Sequence, residues 1–423
     1  MGSDMYYNSP GSRRRSGKRP LFAGLRRFAA GSLFGMAHDD NSYGTPATAG
    51  RTAQGDGVWW RMVDAVMSCL TAVVTLTSLL TLVVPYISPA RLGLLPVLAL
   101  VAPLVYVAVV IVMLYWIIRW KWRRASVMIV LMAVGLLHAP RYFNPQFRRI
   151  YGEETYPRSA LKVMSYNVRC FFPDDTSADY TTDSVAAFVS KFSPDVICFQ
   201  EFMTHGDEIR HRFDSLLGDY RTSILDEVDP PIAIYSRFRI AGTGRVAYMD
   251  ADSLPKGKGM WADLIVGSDT VRVFNVHLNG TSINRDDADY IVNYRYMSDS
   301  ARNSKLYDMV RRLNTNTVNR SYHVDELAAA MRSVDRAKIL CGDFNDTPMS
   351  YAYHTLSRDM KDAFRERGRG YSHTFRGFFD LLRIDYALFD EAHFDVVSYE
   401  VPDTVCWSDH LPVCVRAELR RDM

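Results

Sequence analysis

Long apolar runs come first in the chain, and short apolar segments alternate with polar ones after them. Met62–Ile87 and Leu92–Ile118 are apolar over more than 20 residues each, and Ala125–Ala139 is a shorter run between Arg124 and Arg141. A helix that crosses a bilayer needs about 20 apolar residues. We therefore interpret the first two runs as transmembrane helices, with buried helices of a soluble fold as the alternative. The third run can cross the bilayer only if its flanking arginines snorkel or the bilayer thins locally. The alternative interpretation is a helix that lies at the membrane interface.

From Tyr151 onward the pattern changes to that of an α/β domain. Helices are predicted at Thr182–Phe192 and Val324–Val334. The segment Thr281–His323 is polar without a clear core pattern, and we interpret it as an insertion. The predicted strands are Ala160–Val168, Asp195–Glu201, Pro231–Ile240, a hairpin over Trp261–Leu278, Lys338–Leu340, Leu382–Phe389 and Asp409–Leu419. Many strands with interspersed helices predict an α/β sandwich over residues 159–423, joined by a linker (141–158) to membrane helices within 61–140.

Charge is distributed unevenly between these two parts. The whole chain carries a net charge of +3. Residues 1–150 hold 17 Lys and Arg against five Asp, and the remainder is therefore acidic. Residues 1–60 are basic, rich in Ser and Gly, and lack periodicity, which predicts a disordered tail. Within it, Leu21–Met36 has the alternative interpretation of a short amphipathic helix on a membrane surface.

The positions of the basic residues predict the orientation in a membrane. The basic tail and the segment Arg119–Arg124 are expected on the cytoplasmic side, because Lys and Arg mark inside loops. Three spans then place the later domain outside the cytoplasm, and two spans place it inside. We favour the outside position, although three arginines within Arg141–Ile150 oppose it. The chain is thus expected to be a multi-pass protein of the cell membrane.

Polar side chains recur at the ends of the predicted strands. If these ends share one side of two packed sheets, they form a single cleft of carboxylates, amides and imidazoles. Carboxylate and amide oxygens are hard ligands that suit Mg²⁺, and such a set can neutralise, orient and hydrolyse a phosphoester. The residues concerned are Asn167, Glu201, His277, Asn279, Asp343, Asn345, Asp385, Asp409 and His410.

Six short motifs occur in one order along these strands. They read SYNVR, CFQEF, NVHL, GDFNDTP, LRIDY and SDHLPV, and together they cover about Leu161–Glu418. In this order they resemble the endonuclease/exonuclease/phosphatase superfamily, whose members are DNase I-like. The preceding membrane segments look like a membrane-anchored bacterial branch of it. The resemblance implies a four-layer α/β sandwich, here preceded by two or three transmembrane helices, and a Mg²⁺-dependent phosphoesterase, with Mn²⁺ as the other metal to consider.

The same resemblance implies roles for the metal-binding side of the cleft. Glu201 is expected to be the principal Mg²⁺ ligand, and Asn167 to assist at both metal and phosphate. Asp409 is expected to add to the metal region. Asn279 is expected to contact substrate.

Other roles follow for the catalytic side. Asp343 is expected to orient or deprotonate the attacking water, and Asn345 to hold the phosphoryl group. His410, paired with Asp385, is expected to contact the phosphate. His277 is expected to contact a phosphate oxygen or to protonate the leaving group. The second role stays open, because no residue clearly matches the carboxylate that backs this histidine in the superfamily.

Several nearby residues have simpler interpretations. We interpret Lys256 and Lys258 as residues of a solvent-exposed loop, with binding of a substrate phosphate as the alternative. Arg383 is read as a structural ion-pair partner. The six cysteines lack zinc-type spacing, and Cys198 and Cys341 are expected in the core.

Three functions remain open at this stage. The favoured one is hydrolysis of phosphodiesters or phosphomonoesters in lipid head groups or small molecules at a membrane. A membrane-tethered nuclease is the alternative, although an acidic domain gains little from counterion release on nucleic acid. An inert anchored binding module is the third. The sequence predicts no oligomeric state.

Overall fold

The chain is described by a computed structural model, which covers residues 57–93, 96–145, 156–173, 180–246, 258–280, 290, 302–377 and 380–420. Four predictions lie partly or wholly outside these residues. They concern the basic tail with Leu21–Met36, most of the linker, Lys256, and residues 281–289 and 291–301 of the polar insertion.

Three helices precede the α/β domain: α1 (Val58–Val83), α2 (Pro96–Ile118) and α3 (Trp122–Gly135). By length and composition alone, α1 and α2 could each cross a membrane. α3 has 14 residues and is about 21 Å long. The third apolar run therefore does not form a helix of membrane-spanning length, since it ends at Gly135 and continues through a 3₁₀ turn at Ala139–Arg141.

The three helices pack against one another in antiparallel fashion. Near the start of α1, Asp64 forms an ion pair with Arg119, just after α2 ends, at 3.1 Å. α3 returns along α2, with the Arg124 guanidinium over the Trp116 ring. We call α1, α2 and α3 with their connecting turns, through Arg141, the helical unit.

Two six-stranded sheets form the body of the α/β domain. The strands of the first sheet are β2 (Leu161–Asn167), β3 (Val196–Gln200), β4 (Arg221–Leu225), β5 (Ile232–Ser236), β13 (Phe394–Glu400) and β14 (Val413–Leu419). Those of the second are β6 (Arg239–Arg245), β7 (Lys258–Val266), β8 (Asp269–His277), β9 (Lys338–Asp343), β10 (Met360–Asp362) and β12 (Asp385–Asp390). A separate small pair consists of β1 (Phe143–Asn144) and β11 (Gly370–Tyr371). The strand order is β13-β14-β2-β3-β5-β4 in the first sheet and β10-β12-β9-β8-β7-β6 in the second.

Helices cover the outer faces of both sheets. The central core contains Val163 and Cys198 from the first sheet and Val273 and Cys341 from the second, all fully buried. The helices of the domain are α4 (Thr182–Phe192), α5 (Asp207–Leu216), α6 (Arg302–Arg332), α7 (Tyr351–Leu356) and α8 (Ala363–Arg367). Separate apolar clusters join α4 and α5 to the first sheet, and α6 and α7 to the second. The order of layers is thus helix, sheet, sheet, helix, which confirms the predicted α/β sandwich.

Helix α6 corrects the interpretation of the polar insertion. It runs over 31 residues, so the helix predicted at Val324–Val334 begins at Arg302 and takes in the second half of the polar stretch. Seven of its buried side chains follow a helical spacing of three and four residues. They are Met309, Leu313, Thr317, Arg320, Val324, Leu327 and Met331. The stripe was missed because two of its positions are polar.

The helical unit is joined to the sandwich directly. Met349 is fully buried in a cluster with Val84, Ala99 and Ala102. Arg383 forms a buried ion pair with Asp362 at 2.9 Å, as its structural interpretation requires, and also donates to the main chain of the helical unit. The helical unit and the α/β domain therefore share a packed boundary.

Candidate active site

The register of the strands brings the predicted polar residues to one edge of the sandwich. β2 and β3 are parallel, with Asn167 opposite Gln200, and β8 and β9 are parallel, with His277 opposite Asp343. Parallel strands end at the same edge of a sheet. β12 is antiparallel to β9 and begins there, with Asp385 opposite Asp343.

Asn167 connects the carboxylates of the two sheets. Its Nδ2 donates to Glu201 Oε1 at 3.3 Å and to Asp343 Oδ2 at 3.1 Å. Its Oδ1 accepts from the Arg169 main-chain N–H at 3.0 Å. The side chain is fully buried, so an amide holds two acidic groups together where water does not reach it.

His277 faces both of these carboxylates. Its Nε2 lies 3.6 Å from Glu201 Oε1 and 3.7 Å from Asp343 Oδ2. Burial, with a smaller contribution from the Lys258 ammonium, holds the pKa of His277 well below its usual range. Among the described residues its Nδ1 has no hydrogen-bond partner. A neutral imidazole suits contact with a phosphate oxygen better than donation of a proton to a leaving group.

Asp343 and Asn345 form a tight turn after β9. The Asn345 main-chain N–H donates to Asp343 Oδ1 at 2.8 Å, and its Nδ2 donates to Leu278 O at 3.0 Å. Asn345 has a φ of 51°, which asparagine tolerates better than most residues. Burial and the neighbouring Asp385 carboxylate raise the pKa of Asp343 to about 7. Asp343 can therefore accept a proton near neutral pH.

His410 is paired with Asp385 behind this turn. Their Nδ1–Oδ2 distance is 2.9 Å, and His410 Nε2 lies 3.8 Å from Asp343 Oδ2. Burial alone would lower the pKa of His410, but the carboxylates of Asp385 and Asp343 raise it to about 10. His410 is therefore a cation that donates Nδ1–H to Asp385 and presents Nε2–H to the cleft.

Two hydroxyl groups that the sequence analysis did not identify hold this pair in place. Thr374 Oγ1 accepts from the main-chain N–H of Asp385 at 3.0 Å. Ser408 Oγ donates to the Asn167 carbonyl at 2.8 Å and accepts from the His410 main-chain N–H at 3.1 Å. Ser408 lies in the SDH motif, which could have drawn attention to it, whereas Thr374 stands in a loop without a pattern.

Two of the predicted residues lie beside this group. Asp409 pairs with Arg169 at 3.2 Å, and within the described structure its Oδ1 has no hydrogen-bond partner. Asn279 uses its main-chain carbonyl to accept from Arg320 at 2.8 Å. Among the described residues the Asn279 side chain has no hydrogen bond to the central group. The structure therefore brings together Asn167, Glu201, His277, Asp343, Asn345, Asp385 and His410.

Lys258 belongs to the site, which corrects its interpretation as part of a solvated loop. It begins β7 directly opposite His277, and opposed residues of antiparallel strands share a face. Burial lowers its pKa, against the opposing effect of the Glu201 and Asp229 carboxylates. In the part of the chain that the structure describes, Lys258 has no ion pair. Its ammonium is thus available to an anionic ligand.

The donor set fits a hard divalent cation. Ligand atoms of Asp343, Asp385 and His410 lie within 4.8 Å of one another. Protonated His410, already bonded to Asp385, offers no lone pair, so this trio fits a cation less well than Glu201 and Asp343 do. These two carboxylates converge around the Asn167 amide, and a cation bound there would offset both the burial and the Asp385 charge that raise the pKa of Asp343.

Comparisons with known families match both parts of the chain. A sequence model described as the Endonuclease/Exonuclease/phosphatase family matches residues 164–410. A second, described as a domain of unknown function (DUF8431), matches residues 64–142. The second range covers nearly all of the helical unit. No curated protein matches the chain significantly.

Solved structures of similar fold were also found. An endonuclease/exonuclease/phosphatase from Bacteroides vulgatus is 19% identical, with a TM-score of 0.46, and the match covers 62% of this chain and 100% of that one. The human Nocturnin catalytic domain is 14% identical, with a TM-score of 0.44 and coverage of 62% and 96%. A mannosyl-6-phosphatase from Bacteroides thetaiotaomicron is 18% identical, with a TM-score of 0.43 and coverage of 62% and 100%.

Proposed function

Because the chain belongs to the endonuclease/exonuclease/phosphatase family, whose members hydrolyse phosphoesters, we propose that it is a membrane-anchored, Mg²⁺-dependent phosphoesterase. One observation carries the proposal. The Asn167 amide bonds to Glu201 of one sheet and Asp343 of the other, beside His277. Such a group has no evident structural purpose, since placing the partly exposed Glu201 carboxylate beside the buried Asp343 carboxylate costs free energy.

The side chains divide the chemistry among them. Glu201 and Asp343 are the residues that would hold Mg²⁺ or Mn²⁺, with the Asn167 amide N–H groups orienting both carboxylates, and the metal would supply positive charge to the phosphoryl oxygens. Asp343 orients the attacking water and takes its proton as the bond from phosphorus to the leaving oxygen breaks. His410 donates Nε2–H to a phosphoryl oxygen and remains a cation because Asp385 faces it. Neutral His277 and the ammonium of Lys258 bind further oxygens of the phosphate.

The substrate we propose is a phosphoester of a lipid head group or of a small molecule at the membrane surface. Support comes from the contact between Met349, six residues after Asp343, and the apolar side chains of the helical unit. The acidic charge of the α/β domain disfavours long nucleic acids.

We further propose that the α/β domain lies outside the cytoplasm, after three crossings. The chain from Arg124 to Tyr142 follows α2 over its length, because Arg124 contacts Trp116 and Tyr142 packs beside Ala99. Because the chain runs back along the length of α2, residues 124–142 support a third crossing, although α3 itself has only 14 residues. The sandwich then lies at the opposite end of the helical unit from the basic segment Arg119–Arg124. Reporter fusions placed after Arg149 test this, and a cytoplasmic signal would contradict it.

The activity test uses the purified full chain in lipid nanodiscs. It is assayed with Mg²⁺, with Mn²⁺ and with EDTA against phospholipid head groups, small phosphate mono- and diesters, plasmid DNA and RNA. We expect metal-dependent hydrolysis of a lipid or small ester, abolished in Asp343→Ala and His410→Ala. Preferential cleavage of DNA or RNA would replace our substrate with the nuclease alternative. Binding of Mg²⁺ and substrate without turnover would favour the inert module.

A further inference from the structure

Helix α2 contains a main-chain carbonyl that the helix cannot satisfy itself. Pro103 lies inside α2, and proline has no N–H to donate to the carbonyl four residues earlier. That carbonyl belongs to Ala99, which is fully buried. A buried carbonyl without a donor is costly, so it requires a partner from elsewhere in the protein.

The partner comes from the turn that carries the candidate catalytic residues. Thr347 Oγ1 donates to the Ala99 carbonyl at 3.0 Å, and Thr347 is itself buried. We call residues 343–350, which include Asp343 and Asn345, the catalytic loop. The Thr347 hydroxyl of the catalytic loop therefore supplies the hydrogen bond that Pro103 removes from α2.

The catalytic loop is held on both sides of this bond. Beyond it, the Arg141 guanidinium donates to the Pro348 carbonyl at 3.3 Å, and Met349 is buried against Ala99. Before it, Asp346 forms an ion pair with Arg320 of α6 at 2.8 Å. The loop thus lies between the helical unit and α6, and the Thr347 bond is its buried side-chain hydrogen bond to α2, beside the apolar contact of Met349.

We propose that Thr347 is a positioning residue through which the helical unit fixes the catalytic loop. The bond to Ala99 determines where Asp343 and Asn345 stand relative to Glu201 and His277. The catalytic site is therefore completed by the membrane segment. The effect on turnover rests on the function proposed above, whereas the effect on the loop does not.

Thr347→Val removes the hydroxyl and keeps the shape of the side chain. In the full chain in nanodiscs we expect kcat to fall by about tenfold to a hundredfold, because small displacements of catalytic groups carry losses of that order. We expect little change in KM, since Thr347 touches no substrate. Thr347→Ser keeps the hydroxyl and should retain activity. The exposed Thr222→Val on β4 is the matched control and should behave as wild type.

A double-mutant cycle isolates the bond itself. Pro103→Ala gives α2 its own N–H for the Ala99 carbonyl, so the carbonyl no longer requires Thr347. We expect Thr347→Val to lower kcat strongly in the wild-type background, which keeps Pro103. In the Pro103→Ala background the same substitution should lower kcat only slightly. The effects of two substitutions on kcat are non-additive when the residues are coupled and additive when they are independent. Additive losses would overturn the proposal.

Hydrogen exchange of the loop amides provides a readout that needs no activity. We expect faster exchange over residues 344–350 in Thr347→Val and wild-type exchange in Thr347→Ser and Thr222→Val. If the wild type hydrolyses none of the substrates but the exchange changes as expected, the proposed function fails and the positioning role of Thr347 stands. Unchanged exchange in Thr347→Val overturns the positioning role, whether or not the wild type is active.

Discussion

Asp343 and Asp385 lie directly opposite each other on the neighbouring antiparallel strands β9 and β12, and both are almost fully buried. Two like charges in this arrangement repel each other. His410 offsets the repulsion, because its ring bonds to Asp385 at 2.9 Å and lies 3.8 Å from Asp343. These three side chains therefore carry one more negative charge than positive charge when both carboxylates are ionised, which is a condition that a bound cation would relieve.

In the metal-free protein, Asp343 and His410 should contribute stability that is lost as the pH rises. The pKa of Asp343 is raised to about 7 and that of His410 to about 10. Each group then binds more protons in the folded than in the unfolded chain, so the free energy of unfolding falls from about pH 4 to 7 for Asp343 and from about pH 6.5 to 10 for His410. Thermal unfolding in the presence of EDTA, at pH values from about 4 to 10, measures this loss of stability. Because the low pKa of His277 contributes in the opposite direction over the lower part of this range, the test is the difference between the wild type and Asp343→Asn. This difference in free energy of unfolding should fall between about pH 4 and 7, and a constant difference would contradict the assignment.

Asp385→Asn should lower the pKa of His410. The carboxylate of Asp385 is the main group that raises this pKa against the effect of burial. Without it, the imidazole is expected to be largely neutral at neutral pH and to lose its charge-assisted contact with phosphate. NMR titration of the histidine rings in the metal-free protein checks the pKa, and we expect kcat to fall by about a hundredfold. A His410 pKa that stays near 10 would show that Asp343 alone maintains it.

Lys258→Gln should raise KM for phosphate monoesters. Its half-buried ammonium lies beside His277 and has no ion pair within the described structure. Loss of one charge-assisted contact costs about 1.5–3 kcal/mol of binding, so we expect KM to rise by about tenfold to a hundredfold. The exposed Lys191→Gln on α4 is the matched control. Equal KM values for the two variants would exclude Lys258 from the substrate site.

The residues at strand ends were predictable because the local sequence reveals them. A carboxylate or amide directly after an apolar strand, as at Asn167, Glu201 and Asp343, has few reasons to be there besides chemistry. The strand register then brings these residues together, and register follows from alternation along the chain.

Contacts between distant segments were not predictable in this way. Thr374 and Ser408 act through hydroxyl groups in loops, where the sequence has no period. The partnership of Thr347 with Ala99 depends on how two parts of the chain pack, and Pro103 signals only that a donor is missing. The first half of α6 was missed because Arg320 is buried for its ion pair rather than for apolar contact.

Arg320→Met should destabilise the α/β domain strongly. The Arg320 side chain is almost fully buried, pairs with Asp346 at 2.8 Å and donates to the Asn279 carbonyl. Its removal leaves a buried carboxylate without a counter-charge, a change that typically costs about 3–5 kcal/mol. Thermal unfolding of the full chain measures the loss. The double variant Arg320→Met with Asp346→Asn should recover part of it, and an equal loss in both variants would show that the charge of Asp346 is not the cause.

Gly342→Ala tests the backbone that places Asp343. Gly342 has a φ of 149°, and a Cβ built there would lie 2.0 Å from the Val276 carbonyl oxygen of β8. Both the conformation and the close approach therefore require glycine. We expect the variant to separate β9 from β8 at the point where Asp343 faces His277, with loss of activity and a marked fall in melting temperature. Gly218→Ala is the control, since its Cβ would meet only Ser215 O at 3.4 Å. Wild-type activity in Gly342→Ala would show that the end of β9 can shift without disturbing the site, and the geometric argument for Asp343 would then fail.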